Sequence, residues 1–260
     1  MATPRFTRAL VRAPGPNFAD GLTGAGLGAP AFAVALAQHA AYCDALRDCG
    51  LDLISLPADP AHPDGCFVED TAVLLPEGAI LTRPGAPSRE GEVAGVGGPL
   101  AAAWPALACI TAPGTVDGGD ICHAGQVVFI GLSPRTNGEG AAQLAQWLQG
   151  LGYAPRVVSI HGIDGLLHLK SGLSWLGGTR LLLAPALAGH AAFADFECIV
   201  VEAADMYAAN AVCIGERVLV PAGYPRVEAR IVACGLSPVA LAMGEFEKMD
   251  GGLSCLSLRW

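Results

Sequence analysis

The chain repeats itself, and the repeat limits what it can fold into. Residues 72–89 read AVLLPEGAILTRPGAPSR, residues 120–135 read DICHAGQVVFIGLSPR and residues 211–226 read AVCIGERVLVPAGYPR. Each is an apolar strand, a Gly-containing turn, a second apolar strand and a loop ending in arginine. A helical pattern follows each copy. After Arg135, Asn137 is placed as an N-cap, Leu144, Trp147 and Leu148 share one face, and Gly150 ends the helix. A further β-like run closes each unit, at residues 107–111, 156–160 and 239–242. A degenerate copy spans 169–185, and the termini supply another, with 254–258 beside 6–11. Units of this ββαβ kind are too small to bury their own apolar faces. About five of them stacked round an axis form an α/β propeller, helices outside, with loops from different units meeting at one end. A three-layer α/β sandwich accommodates the same strands and is the alternative.

Composition narrows the function. Hydrophobic residues make up 52% of the 260 and charged residues 15%, against roughly 25% charged in an average soluble domain, which excludes intrinsic disorder. No linker or low-complexity segment divides residues 1–260, so one domain is expected. The net charge of −9 leaves no basic footprint for nucleic acid and points to a small cationic partner. The uncharged stretch 93–116 holds Pro99, Pro105 and Pro113, too many breaks for a lipid-exposed helix, so no membrane partner is expected. Arg5, Arg8 and Arg12 precede no apolar core of signal-peptide length, and the expected location is the cytoplasm. Nine cysteines without a CxxC pair read as free thiols, eight of them buried.

The ninth is Cys255, in KMDGGLSCLSLRW, where Gly251 and Gly252 let the backbone approach another group closely. A lone cysteine on a last strand is ordinarily a core thiol, a lone histidine such as His168 in GLLHLKSG is more often structural, and a turn carboxylate such as Asp117 in DGGD is usually a cap. What changes the weighing is that all three stand at equivalent unit entrances, so the repeat brings a nucleophile, a proton carrier and an orienting carboxylate to one end of the axis. In HPDGCFVEDTAV, Asp64 precedes Glu69 and Asp70, which lie among Phe67, Val68 and Val73; buried carboxylates need cations. Arg89 and Arg135 close equivalent loops, with Arg226 as a further copy, and read either as structural pairing or as a clamp on a substrate carboxylate. A ligand cationic at one end and zwitterionic at the other fits these groups, and a guanidinium is the geometric complement of paired carboxylates.

The segments DGLTGAGLG (20–28), LPADPAHPDGCFVEDTAV (56–73), LTRPGAPSREGE (81–92), APGTVDGGD (112–120), IGLSPRTNGEGA (130–141), LLHLKSGL (166–173), VPAGYPR (220–226) and KMDGGLSCLSLRW (248–260) resemble those of the dimethylarginine dimethylaminohydrolases, the bacterial type in particular. The resemblance covers essentially the whole chain, in order. It implies the five-bladed α/β propeller of the guanidine-modifying (pentein) superfamily, and hydrolysis of N-methylated arginine to citrulline and an alkylamine. It also implies Cys255 as nucleophile, His168 as general acid and base, and Asp117 as the triad carboxylate. Glu69 and Asp70 then surround the guanidinium, and Arg89 and Arg135 hold the α-carboxylate. Asp64, Asp250 and the backbone at Leu22 and Met249 face the amino group, with Ser171 near His168. No metal or cofactor is called for, and association as a homodimer is allowed. DGGD has the form of animal members, one methylene shorter at Asp117, and Pro134 before Arg135 is a local departure.

Overall fold

The computed structural model describes residues 3–260. Chain order begins with β1 (Arg8–Arg12), α1 (Phe32–Asp48) and β2 (Asp52–Leu56), then β3 (Ala72–Leu75), β4 (Gly78–Leu81), α2 (Ala94–Ala101) and β5 (Leu107–Cys109). It continues with β6 (Ile121–Ala124), β7 (Val127–Leu132), α3 (Gly138–Gly150) and β8 (Ala154–Ser159), followed by β9 (Leu173–Trp175), β10 (Arg180–Leu183) and β11 (Glu197–Val200). The last elements are β12 (Val212–Ile214), β13 (Arg217–Pro221), α4 (Pro225–Ala233), β14 (Ser237–Leu241), α5 (Gly244–Glu247) and β15 (Leu258–Arg259).

Five three-stranded sheets result, ordered β3-β4-β5, β6-β7-β8, β9-β10-β11, β12-β13-β14 and β15-β1-β2. In each, the first pair is antiparallel and the second parallel, so every blade is built by one rule. The antiparallel hairpins turn tightly; Gly125 between β6 and β7 has φ +69°, a conformation that glycine adopts at no steric cost. The parallel pairs need a crossover, which puts the helices outside. The fourth blade departs from this: after β10, two 3-10 turns, Pro185–Leu187 and Ala191–Phe193, replace the helix, because Pro185 and Gly189 break any helical run. The termini share the first blade, where Leu10 pairs with Leu258.

A three-stranded sheet cannot bury its own faces, and the core accordingly lies between blades. Leu10 and Leu258 of the first blade pack with Ala72, Ala79 and Leu100 of the second; Val73 and Ile80 meet Ile121, Ile130 and Leu144 of the third. Phe129, Leu181 and Val218 join the third, fourth and fifth. Leu219, Leu46 and Phe246 close the ring between the fifth and first. Asn137 caps α3, its Oδ1 accepting the Gly140 N–H at 2.8 Å; the residue that turns the chain away afterwards is Gly152, at φ +88°, not Gly150. Two cysteines expected inside, Cys109 and Cys198, are exposed, lying on outer strands β5 and β11.

Candidate active site

Each inner strand is entered through a 3-10 turn: Val68–Thr71, Gly118–Asp120, Leu169–Ser171, Ala203–Ala209 and Ser254–Leu256 precede β3, β6, β9, β12 and β15. Repetition therefore carries side chains from different blades to one end of the axis. Asp117 and His168 occupy the residue just before their turns, and Asp70 and Cys255 lie within theirs. Cys255 thus sits on a turn ahead of the last strand, not on the strand itself.

Asp117 Oδ2 lies 2.9 Å from His168 Nε2, with Asp117 fully buried and His168 6% exposed. The other Asp117 oxygen accepts the Gly85 N–H at 2.8 Å. Ser171 Oγ accepts the His168 backbone N–H at 3.3 Å, which seats the turn and not the imidazole. The second carboxylate of DGGD, Asp120, was not singled out in the sequence. Its Oδ2 accepts the hydroxyls of Ser133 (2.6 Å) and Thr136 (2.7 Å), its Oδ1 the Leu169 N–H (2.9 Å), and it thereby ties the Arg135 loop to the His168 turn. Ser133 Oγ also accepts the Arg135 and Thr136 N–H groups, so the loop holds its geometry around Pro134.

Asp70 accepts the Gly119 N–H at 2.8 Å and Arg89 Nη1 at 2.6 Å. Burial pulls the Asp70 carboxyl up, but the neighbouring His168 and Arg89 charges outweigh it and hold the group below the usual carboxylate range. Burial likewise pulls the His168 imidazole down; Asp70, the Asp117 hydrogen bond and Asp120 overcome it, raising the pKa to about 9. The Cys255 thiol is pushed up to about 12 by burial first, then by Glu69 and Asp70, while the Gly252 N–H approaches its Sγ at 3.4 Å. Asp70, Asp117 and His168 carry donor atoms within 4.8 Å of one another, close enough to share a cation, although Arg89 already supplies the positive charge beside Asp70.

Leu22, Asp64, Asp70, Arg89, Arg135, His168, Met249, Asp250 and Cys255 line one cleft, together with Phe67, Leu167 and Gly251. Its roof is irregular chain: the Leu22 N–H donates to both Asp64 oxygens (3.1 and 3.2 Å), Thr23 Oγ1 to the Lys248 carbonyl, and the Gly24 N–H to Asp250 Oδ2. Asp250 adopts φ +56° to make that contact. The space left is about 20 Å³, room for about one water.

Two of the expected site residues have their charges engaged inside the protein. Glu69 does not face the cleft: its oxygens contact Lys170 Nζ (2.5 Å), Arg259 Nη2 (3.4 Å) and Ser254 Oγ (2.7 Å) on the far side. On this 3-10 turn, with about three residues per turn, Phe67 and Asp70 share the face toward the cleft and Glu69 lies on another. Arg89 lines the cleft, but its fork is spent inside the protein. Nε and Nη2 donate to Glu92, Nη1 to Asp70, and Nη2 also to the Asp64 and Phe67 carbonyls. Glu92 had no sequence signal beyond its position three residues after Arg89. Arg135, by contrast, makes no side-chain hydrogen bond or ion pair among the described residues, whereas the copy at Arg226 pairs with Asp205 at 2.8 Å away from the cleft. We expect Arg89→Ala to cost about 3–5 kcal/mol of folding stability, the range for breaking a buried ion pair, because Asp70 and Glu92 are left charged and dry. Denaturant melts check this; an unchanged midpoint would contradict the pairing.

Fold and cleft together define a five-bladed α/β propeller with a cysteine, a histidine–carboxylate pair and further carboxylates at one end of its axis. No protein-family model matches the chain. It is 41% identical over 256 residues to the N(G),N(G)-dimethylarginine dimethylaminohydrolase of Pseudomonas aeruginosa, covering 98% of this chain and 100% of that protein. It is 37% identical over 257 residues to the protein of the same name from Streptomyces coelicolor, covering 97% and 96%. The Pseudomonas aeruginosa enzyme as a Cys-to-Ser variant complexed with citrulline superposes with a TM-score of 0.95 at 40% identity, over 99% of this chain and 100% of that one. The N-terminal domain of ArgZ, a cyanobacterial arginine dihydrolase, shares the fold at a TM-score of 0.87 and 19% identity, over 97% of each chain. The chain belongs to the dimethylarginine dimethylaminohydrolase family of the pentein superfamily. Among the described residues no helix is long and apolar enough to cross a membrane.

Proposed function

We propose that this chain hydrolyses N-omega-methylated arginines, asymmetric dimethylarginine and monomethylarginine, to citrulline and an alkylamine in the cytoplasm. The observation that carries the reading is the Asp117–His168 pair at 2.9 Å, Asp117 buried behind His168 and His168 lining the same cleft as Cys255 and Asp70. Burial and then the Glu69 and Asp70 charges push the Cys255 thiol up to about 12, and a guanidinium bound beside it offsets the carboxylates' share and favours the thiolate. The thiolate attacks the guanidinium carbon; the bond to the alkylated nitrogen breaks as His168, protonated with a pKa of about 9, donates to the leaving amine. A thiouronium ester to Cys255 remains. Neutral His168 then takes a proton from water as hydroxide adds to the same carbon; the C–S bond breaks to release thiolate while the added hydroxyl loses its proton to solvent, where the freed amine takes one up as alkylammonium, leaving citrulline. Water is the only co-reactant.

Asp70 is the carboxylate available to the unsubstituted nitrogens, Arg135 is free for the α-carboxylate, and Asp64, Asp250 and the Leu22 and Met249 backbone for the amino group. A methylated nitrogen needs no acceptor, whereas arginine leaves N–H donors unpaired at a cost of about 1–3 kcal/mol each. Asymmetric dimethylarginine and monomethylarginine should therefore exceed arginine by about tenfold or more in kcat/KM, with symmetric dimethylarginine poor because one methyl must face a carboxylate. Citrulline release from the four compounds decides it. Preference for arginine would make the chain a deiminase, and no citrulline from any would make it a binder. Arg135→Ala should raise KM about tenfold to a hundredfold, one charge-assisted hydrogen bond of about 1.5–3 kcal/mol, with melting unchanged; an unaltered KM would remove Arg135 from the clamp.

A further inference from the structure

A second cavity, of about 820 Å³, runs along the axis behind the cleft, enclosed by the inner strands β3, β6, β9, β12 and β15 of all five blades. No residue lines both. Two 3-10 turns separate them: Glu69 and Ser254 face the cavity, their neighbours Asp70 and Cys255 the cleft. Its charge is opposite to that of the protein. In a chain of net charge −9, the side chains of the lining include Arg5, Arg8, Lys170 and Arg259 against one acidic side chain, Glu69. That carboxylate is divided between Lys170 at 2.5 Å and Arg259 at 3.4 Å, both half-buried, so two cations at the cavity wall share one negative charge. Arg259 Nε is buried and has no hydrogen-bond partner, although its Nη1 is saturated by Ser254 and Ser257. Arg5 and Arg8 are exposed, adding positive potential at the opening.

The remaining wall is aromatic and apolar. Three of the four tryptophans, Trp104, Trp175 and Trp260, line the cavity, and the rings of Trp104 and Trp260 lie 5.5 Å apart at 56°. A cavity meant only for water has no use for an aromatic wall, and a purely inorganic anion would leave it uncovered. We propose that this axial cavity binds a small amphipathic organic anion, its carboxylate or sulfonate head at Arg259 and Lys170 and its planar apolar body against Trp104 and Trp260. The site is distinct from the catalytic cleft and takes the opposite charge of ligand.

Anilinonaphthalene sulfonate and its uncharged parent N-phenylnaphthylamine, which share a body and differ by the head, test this on the full chain by fluorescence titration. One sulfonate should bind per chain, at least about tenfold tighter than the parent, and added salt should weaken only the sulfonate. In proteins with native circular dichroism, Arg259→Gln and Trp104→Ala should each weaken the sulfonate about tenfold, and Arg135→Ala in the cleft should leave it unchanged. Arg8→Gln, at the exposed opening, should lower affinity measurably at low salt should Arg259→Gln fail to fold. Equal affinity for the uncharged parent, indifference of sulfonate binding to the folded cavity variants, or its loss in Arg135→Ala would each overturn the proposal.

Discussion

Cys255→Ser is expected to lower citrulline formation by about 10⁴-fold or more while leaving the fold and ligand affinity nearly intact. The substitution is close to isosteric on the 3-10 turn Ser254–Leu256, where the side chain touches the cleft and the Gly252 N–H and no long-range hydrogen bond depends on it. What it removes is thiolate character. The thiol is raised to about 12 in the empty protein, but a bound cation can bring it down; a serine hydroxyl starts too far above any accessible pH for the same field to ionise it. Citrulline titrated into the variant by calorimetry should still bind, and melting should match the parent. Substantial turnover by the serine variant would sink covalent catalysis, and loss of binding with loss of turnover would place Cys255 in the structure and not in the reaction.

His168→Gln is expected to cost about 10²–10⁴-fold in kcat. Combined with Cys255→Ser it should do little further harm, because the two act on one step. The pH profile separates this from a structural role. With the imidazole pKa near 9, His168 is protonated through neutrality and kcat/KM should fall as pH rises through that value for want of a proton on the leaving amine. Asp117→Asn removes one of the charges raising the pKa, so the alkaline limb should move to lower pH; a limb that stays in place would detach Asp117 from His168. Stability should follow the same group. A histidine titrating near 6.5 when unfolded and near 9 when folded stabilises the native state fully below about 6.5, and that contribution disappears as pH rises through about 9. His168→Gln should flatten stability across that interval.

Much of this was legible in the chain. The recurrence of strand, glycine turn, strand and arginine loop dictates like local structure in each copy, because hairpin turns and apolar alternation are short-range, and five narrow sheets can bury their faces only against one another. Equivalent positions in equivalent units must then lie at one end of the axis, which is why Asp117 and His168, from different blades, were recognisable as neighbours. Asn137 was readable as a cap for the same local reason, and the 3-10 turns of the fourth crossover are equally local, Pro185 and Gly189 leaving too short a run between them for a helix.

Tertiary structure alone decided the partners of the charged groups. Adjacent Glu69 and Asp70 have nearly the same sequence surroundings, yet one belongs to an axial cavity and the other to the cleft, because a 3-10 turn sets neighbours on different faces and only the closed ring says which face is which. Arg89 and Arg135 end similar loops. The seven-residue 3-10 turn Pro87–Val93 folds Arg89 back onto Glu92 and Asp70, while the Ser133–Thr136 loop, tied down by Asp120, leaves the Arg135 side chain facing the cleft. A charge's partner is set by distances across the chain of 19 residues for Asp70 and Arg89 and 51 for Asp117 and His168. Residue type and spacing determine which groups need partners; only the closure of the five blades determines which ones meet, because a Coulomb contact depends on separation in space and burial, and neither is local in sequence.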